Sequence, residues 1–199
     1  MLGDPEMPTP PQNPKWDQLF DVATSQDGYF VTKQAAELGY SSQLLNHYVR
    51  TKRLVRPQRG IYRIVHFPPG DHDDLVIEWL WSDRLGVFSH ETALGLHDLS
   101  DLMSGRIHLS LPTASAERRR KVHDGVVVHY ADVPITDRSW IANVPVTTPR
   151  RTLVDCAMAG LQPEFLRQAA QQALKRGLIA RADIVEVDRA LRPFEGLGS

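Results

Sequence analysis

One cysteine, Cys156, stands in the 199 residues, so no intrachain disulfide can form. Its setting in Leu153-Val154-Asp155-Cys156-Ala157, on an expected helix, makes it a small core residue rather than a reactive thiol. No stretch approaches the roughly twenty apolar residues needed to span a bilayer. The leading MLGDPEMPTPPQNPKW is acidic and proline-rich, where a secretory leader is basic and then apolar. No membrane association is therefore expected, and the chain is placed in the cytoplasm. Tight Cys/His spacings are lacking too. The eight histidines (His47, His66, His72, His90, His97, His108, His123 and His129) include no i, i+4 pair with a carboxylate partner, so neither a metal nor a cofactor is expected. Net charge is nearly absent at −1, while 42% apolar composition suffices to bury a core in one small module and one domain of ordinary size.

That small net charge hides an uneven distribution. Between Gly28 and Ile64 stand Lys33, Arg50, Lys52, Arg53, Arg56, Arg59 and Arg63 against Glu37 alone, a local +6 that leaves −7 for everything else. Gly28 to Val31 has the aromatic and β-branched content of a short strand, and Thr32 is a fair N-cap for a helix from Lys33 to Leu38, which Gly39 ends. After the turn Gly39-Tyr40, Ser41 caps a second helix. A step of about 100° per residue gathers Leu44, Leu45, Tyr48 and Val49 into one buried stripe. Ser42, Gln43, Asn46, His47 and Arg50 occupy the opposite side. Leu54-Val55-Arg56, the turn Pro57-Gln58-Arg59-Gly60 and Ile61-Tyr62-Arg63-Ile64 then read as a two-stranded wing with Arg59 at its tip.

Helix, turn, helix and basic hairpin outline a winged helix-turn-helix, and its chemistry points to double-stranded DNA. Short amides suit base edges in the major groove, which assigns Ser42, Gln43, Asn46 and His47 as readers. The cations suit phosphates and the narrow minor groove, which assigns Lys33, Arg50, Lys52, Arg53, Arg56, Arg59 and Arg63 to the backbone and wing.

The remainder is a second, mixed region. Residues 1–14 hold five prolines and no periodicity, and are expected to form a loosely packed tail. Trp16, Leu19, Phe20 and Ala23 recur at helical spacing in front of the winged helix, with Asp17 and Asp21 facing solvent. Phe67-Pro68-Pro69-Gly70 reads as the domain break, giving a DNA-binding domain over 15–67 and a mixed α/β domain over 71–199. There, Asp71 to Asp83 is helical by pattern with Leu75, Val76, Trp79 and Leu80 buried. Gly86-Val87-Phe88 is a short strand, and Ser89 caps a helix to about Asp98. Arg106 to Leu111, Val126 to Tyr130 and Val144 to Val146 supply further strands. Helices from Pro149, Pro163 and Arg181 close the chain. The fold class is α+β: an N-terminal winged helix-turn-helix, then a mixed α/β domain with a small sheet and C-terminal helices.

Catalytic readings find little support. His90, Glu91, His97 and Asp98 crowd one helix, but no nucleophile or glycine-rich phosphate loop accompanies them, and Ser89 lacks the G-x-S-x-G turn. Related-looking winged-helix proteins carry a nuclease-like domain roughly where this sequence stops, and no enzyme is expected. A second basic run, Arg118-Arg119-Arg120-Lys121 after Glu117, reads either as a solvated hairpin loop or as a second nucleic-acid contact.

The run from Tyr29 through Tyr62, above all TKQAAELGYSSQLLNHYVRTKRLVRPQRGIYR, resembles the winged-helix domain of AbiEi-type antitoxins of type IV toxin–antitoxin systems. The likeness continues more weakly through VFSHETALGLHDL, RIHLSLP and PVTTPRRTLVDCA. It implies a repressor that binds inverted repeats in its own promoter, and a second domain that counters a nucleotidyltransferase-like toxin with or without touching it. Two alternatives remain: a regulator unconnected to any toxin, with the second domain as sensor or dimeriser, and a protein-interaction scaffold that binds no DNA.

Overall fold

Residues 14–102, 104–117 and 121–197 are described by the computed structural model. Contacts divide the chain into two compact units, one running through Trp81 and the other starting at Ser82. The fold is α+β in both.

The first unit is a helical cluster on a three-stranded antiparallel sheet. Helix α1 (Trp16–Thr24) leads into β1 (Tyr29–Val31), then α2 (Thr32–Glu37), α3 (Ser42–Arg50), β2 (Leu54–Gln58), β3 (Ile61–Ile64) and α4 (Asp73–Trp81). The strand order β1-β3-β2 puts the wing hairpin and the strand before α2 in one sheet. Phe30 lies opposite Tyr62 across β1 and β3, and their rings stack 5.7 Å apart, the kind of cross-strand aromatic pair that fixes register. Leu19, Ala23, Phe30, Ala35, Tyr40, Leu45, Leu54, Tyr62 and Ile64 form one buried cluster beneath α1, α2 and α3. Gly28 is required where it stands: its φ is +85°, and a Cβ there would lie 2.5 Å from the Phe67 ring.

Two features depart from the sequence reading. The cap of α2 is Val31 rather than Thr32, with the Gln34 side chain accepting from the Val31 amide at 2.9 Å. Thr32 is used otherwise: its amide and hydroxyl both donate to Gly60 O, at 2.9 and 3.2 Å, tying the start of α2 to the wing turn. Beyond the Pro68-Pro69 pair, α4 packs on β1 and β3 within the first unit, with Leu75, Val76, Trp79 and Leu80 buried as the pattern indicated.

The second unit is built on a five-stranded mixed sheet of β4 (Val87–Phe88), β5 (Ile107–Leu111), β6 (Val126–Tyr130), β7 (Arg138–Ile141) and β8 (Val144–Thr147), in the order β6-β5-β4-β8-β7. Helix α5 (His90–Leu96) follows β4, while α6 (Pro149–Met158), α7 (Pro163–Lys175) and α8 (Val185–Leu191) close the unit. Thr148 caps α6 with proline at its first position. Leu94, Leu153, Cys156, Leu166, Ala169, Ala170, Ala173 and Ile184 make the helical core, so Cys156 is a core residue whose thiol burial pushes well up.

Strand β7, which lacks a clear alternating pattern, was not expected. It pairs with β8 through a two-residue turn at Ala142-Asn143. The hairpin reading of the Arg118 to Lys121 run is overturned, because β5 and β6 on either side of it are parallel and no hairpin can join parallel neighbours.

A buried amide pair links three elements of the first unit. Gln26, 3% exposed, and Gln34, 9% exposed, exchange hydrogen bonds at 3.0 and 3.2 Å, and Gln26 Nε2 also donates to Tyr29 O at 2.9 Å. Replacing Gln34 by leucine strands Gln26 Oε1 and the Val31 amide together, while Gln26 Nε2 keeps Tyr29 O. The expected loss is about 1–3 kcal/mol of winged-helix stability. A double-mutant cycle with Gln26→Leu in urea should give a coupling above about 0.5 kcal/mol; additive losses would mean that the two amides act separately.

Candidate nucleic-acid interface

The helix-turn-helix presents one side of α3 to solvent. Ser41 caps it by accepting from the Leu44 amide at 3.2 Å. Leu45 is fully buried, Leu44, Tyr48 and Val49 are half-buried, and Ser42, Gln43, Asn46, His47 and Arg50 are all exposed. The five side chains lie along one face because the 3.6-residue period sends the apolar stripe inward.

Cations border that face. Lys33 at the start of α2, Lys52 and Arg53 after α3, and Arg56 and Arg59 on the hairpin are exposed. Arg53 lies over the Tyr48 ring with its guanidinium 5.5 Å from the centroid, and Arg56 over Tyr62 at 5.6 Å, so both are pre-positioned on aromatic faces without losing their charge. Arg59 and Gly60 form the two-residue turn between Gln58 and Ile61, with Gly60 at φ +84°. The register shift between Val55 and Gln58, at the segment containing Pro57, bends the wing next to this tip.

Arg63 sits differently from the other six. Its guanidinium donates to Phe67 O at 3.0 Å and Pro68 O at 2.8 Å, lies 3.9 Å from the Asp73 carboxylate, and covers the Tyr29 ring at 5.3 Å. It is an internal strut between β3, the segment after it and α4. Burial and the neighbouring Asp73 push the Tyr29 hydroxyl up to about 12 in the same cluster. In the second basic run, Arg118, Arg119 and Arg120 lie outside the described residues, whereas Lys121 is exposed.

The second unit holds a histidine cluster that linear spacing concealed. His90 opens α5 directly after β4, while His108 and His129 lie on β5 and β6, whose parallel register sets Ser110 beside His129. Residues 108 and 110 share one face of β5, so His108 and His129 are diagonal neighbours. Their facing nitrogens, Nδ1 of His108 and Nε2 of His129, are 3.1 Å apart, and the His90 ring stacks on His129 at 3.7 Å. Burial, with the nearby His129, His108 and Arg151, pushes His90 down to about 3. Burial also lowers His108 and His129, as it does His97, which bonds Thr147 O at 2.7 Å. The signal available in sequence was period two: His108 and Ser110 alternate inward, and His129 holds the matching position of the next strand.

Four histidines held neutral by burial make this unit acid-sensitive. Each binds a proton more readily in the unfolded chain, so stability is retained above the ordinary histidine range and lost as pH falls through about 6.5. The melting temperature of the second unit should drop by about 5 °C or more between about pH 7.5 and about pH 5.5. His90→Asn, which tolerates the left-handed backbone at this position (φ +51°), should flatten that slope in calorimetry; an unchanged slope would remove His90 from the explanation.

Residues 17–65 match the family model described as "Transcriptional regulator, AbiEi antitoxin". Among solved structures, the RV2827C protein from Mycobacterium tuberculosis is similar with a TM-score of 0.51 at 16% identity, over 91% of this chain and 73% of that one, a likeness of fold alone. No curated protein matches the sequence at a significant level. No helix among the described residues is long and apolar enough to cross a membrane. The matched segment runs from the start of α1 to the end of β3 and contains the whole helix-turn-helix and wing, so it is in residues 17–65 that the chain is similar to the AbiEi antitoxin family of transcriptional regulators.

Proposed function

We propose that the first unit reads duplex DNA in its own promoter, with α3 in the major groove and the wing beside it, and that the second unit carries the antitoxin role against a nucleotidyltransferase-like toxin. The observation that carries the DNA reading is the exposed face of Ser42, Gln43, Asn46 and His47 between Lys33, Arg50, Lys52, Arg53, Arg56 and Arg59. Asparagine and glutamine can each pair in a bidentate way with adenine, and the imidazole and hydroxyl add single contacts. The cations supply the sequence-independent part by releasing counterions from phosphates. Arg59, at the tip of a tight hairpin, suits the narrow minor groove. Arg63 is left out of this set because its guanidinium is engaged within the unit. The resemblance in sequence supports the autoregulatory and antitoxin parts, including inverted repeats as the operator.

Fluorescence anisotropy on the chain's own upstream sequence at two salt concentrations separates these roles. Asn46→Ala should cost about 1–3 kcal/mol on the specific site and relax discrimination at particular base pairs. Lys52→Ala and Arg59→Ala should weaken all sequences alike and reduce the salt slope by about 1 each. Arg63→Ala should instead lower stability and leave the salt slope of the folded fraction unchanged. Equal loss on specific and random DNA for Asn46→Ala would defeat the reader assignment. Growth rescue on co-expression with a neighbouring nucleotidyltransferase gene tests the antitoxin part, and its absence would favour a regulator without a toxin.

A further inference from the structure

Three imidazoles from three different elements converge in the second unit. His90, His108 and His129 each offer one ring nitrogen, and those nitrogens all lie within 4.8 Å of one another. Two nitrogens bound to one tetrahedral zinc stand about 3.3 Å apart, given Zn–N distances of about 2.0–2.1 Å. The His108–His129 pair already meets that spacing at 3.1 Å. The third nitrogen joins it when the His90 ring, stacked on His129 at 13° to it, turns by side-chain rotation so that its in-plane lone pair meets the same point. We propose that His90, His108 and His129 form a binding site for a divalent transition-metal ion of the zinc class, with a coordination position open to the adjoining cavity.

The surroundings have the form of an outer shell. Ser110 donates to the Ser89 hydroxyl at 2.8 Å, and Ser89 Oγ lies 2.9 Å from His90 Nδ1, so a buried serine pair holds one nitrogen of His90 and leaves the other for a ligand. The Glu91 carboxylate stands 3.9 Å from His108 Nε2, beyond hydrogen-bond length but near enough for its charge to favour a cation at this imidazole, while Nδ1 faces His129. Arg151, whose charge acts against a cation at His90, is partly offset by Asp155 and Asp137, which bind it at 2.7 and 3.1 Å. Arg106 is the remaining cation acting on His108, opposed there by Glu91. His90 is held at φ +51°, an unfavourable backbone for a residue with a Cβ, and this conformation directs its ring into the cluster. A cavity of about 300 Å³ lined by His90, Glu91, His108, Cys156 and Leu161 provides room for a water or small anion at the ion. Three neutral nitrogen ligands select zinc, copper, nickel or iron over magnesium and calcium, which prefer oxygen.

Cobalt(II) titration of the untagged full-length chain, stripped with a chelator, tests the site. Low-coordinate Co(II) bound by imidazoles absorbs strongly in the visible region, unlike the hydrated ion. The wild-type protein should saturate at one equivalent and lose the bands on adding zinc. Glu91→Gln and Ser89→Ala should weaken binding by about tenfold or more while preserving the spectrum. His108→Ala combined with His129→Ala should abolish the bands, whereas His66→Ala and His123→Ala should not change them. Absence of visible bands in the wild type overturns the proposal without recourse to any variant, and so does unchanged stoichiometry in the folded double variant.

Discussion

Helix α3 has nine residues, too few to persist in water, so its polar face exists only because the other side is buried. Leu45 is the anchor, with Leu44, Tyr48 and Val49 packed against the cluster that Phe30, Leu54 and Tyr62 complete. The orientation of α3 relative to the wing follows from the same burial. The wing strands β2 and β3 supply Leu54 and Tyr62 to the core that holds Leu45, and Gly60 at the wing turn accepts two hydrogen bonds from Thr32 at the head of α2. Polar face, cationic rim and wing tip are thus held by one packed core rather than being three adjacent features. Preorganisation of this kind reduces the ordering cost of binding.

The elements of this unit were legible in the sequence because each was signalled locally. Ser41 before an apolar stripe, Gly39 after a short helix and Arg59-Gly60 between two alternating runs are cues whose physical causes act within a few residues. What the sequence did not convey was partnership at a distance. Arg63 has the same charge as Arg59 and sits four residues away, so composition gives both to the same surface. The fold separates them, because Arg63 points toward Tyr29 on β1, Asp73 on α4 and the carbonyls of Phe67 and Pro68, partners drawn from three parts of the unit. The Gln26–Gln34 pair was hidden for the same reason. A glutamine within a helix reads as solvated until its partner, eight residues earlier, is known to be buried with it.

The second unit illustrates the limit more sharply. Apart from β7, its strands could be located from local pattern, but their order and register could not, and the histidine cluster depends on both. With β5 and β6 antiparallel, as a hairpin would require, the partner of each residue would be set by the turn, which the sequence does not specify. The parallel pairing instead aligns residues 107–111 with 126–130 step for step, and the pleat places His108 and His129 on one face. Linear spacing rules written for helices, such as i, i+4, have no purchase on ligands drawn from three elements. Serines at 89 and 110, ordinary in a sequence, gain meaning only when the sheet stacks them beneath His90.

The two units also handle charge in opposite ways, and this bears on how the first one behaves without a partner. In the second unit, buried cations are neutralised in place, as Arg151 is by Asp137 and Asp155. In the first, the exposed cations of α2, α3 and the wing crowd one stretch of sequence in which Glu37 is the one acidic residue, while the unit's other carboxylates lie in the segments before and after it. Their mutual repulsion is carried by the free protein and acts over roughly 10 Å at moderate ionic strength. Added salt therefore relieves strain in the free winged helix while weakening any phosphate contact it makes, two effects of opposite sign on the same residues. A local concentration of like charge that folding does not require is the kind of surface that an anionic partner would stabilise, because bound phosphates would relieve the repulsion that the free unit carries.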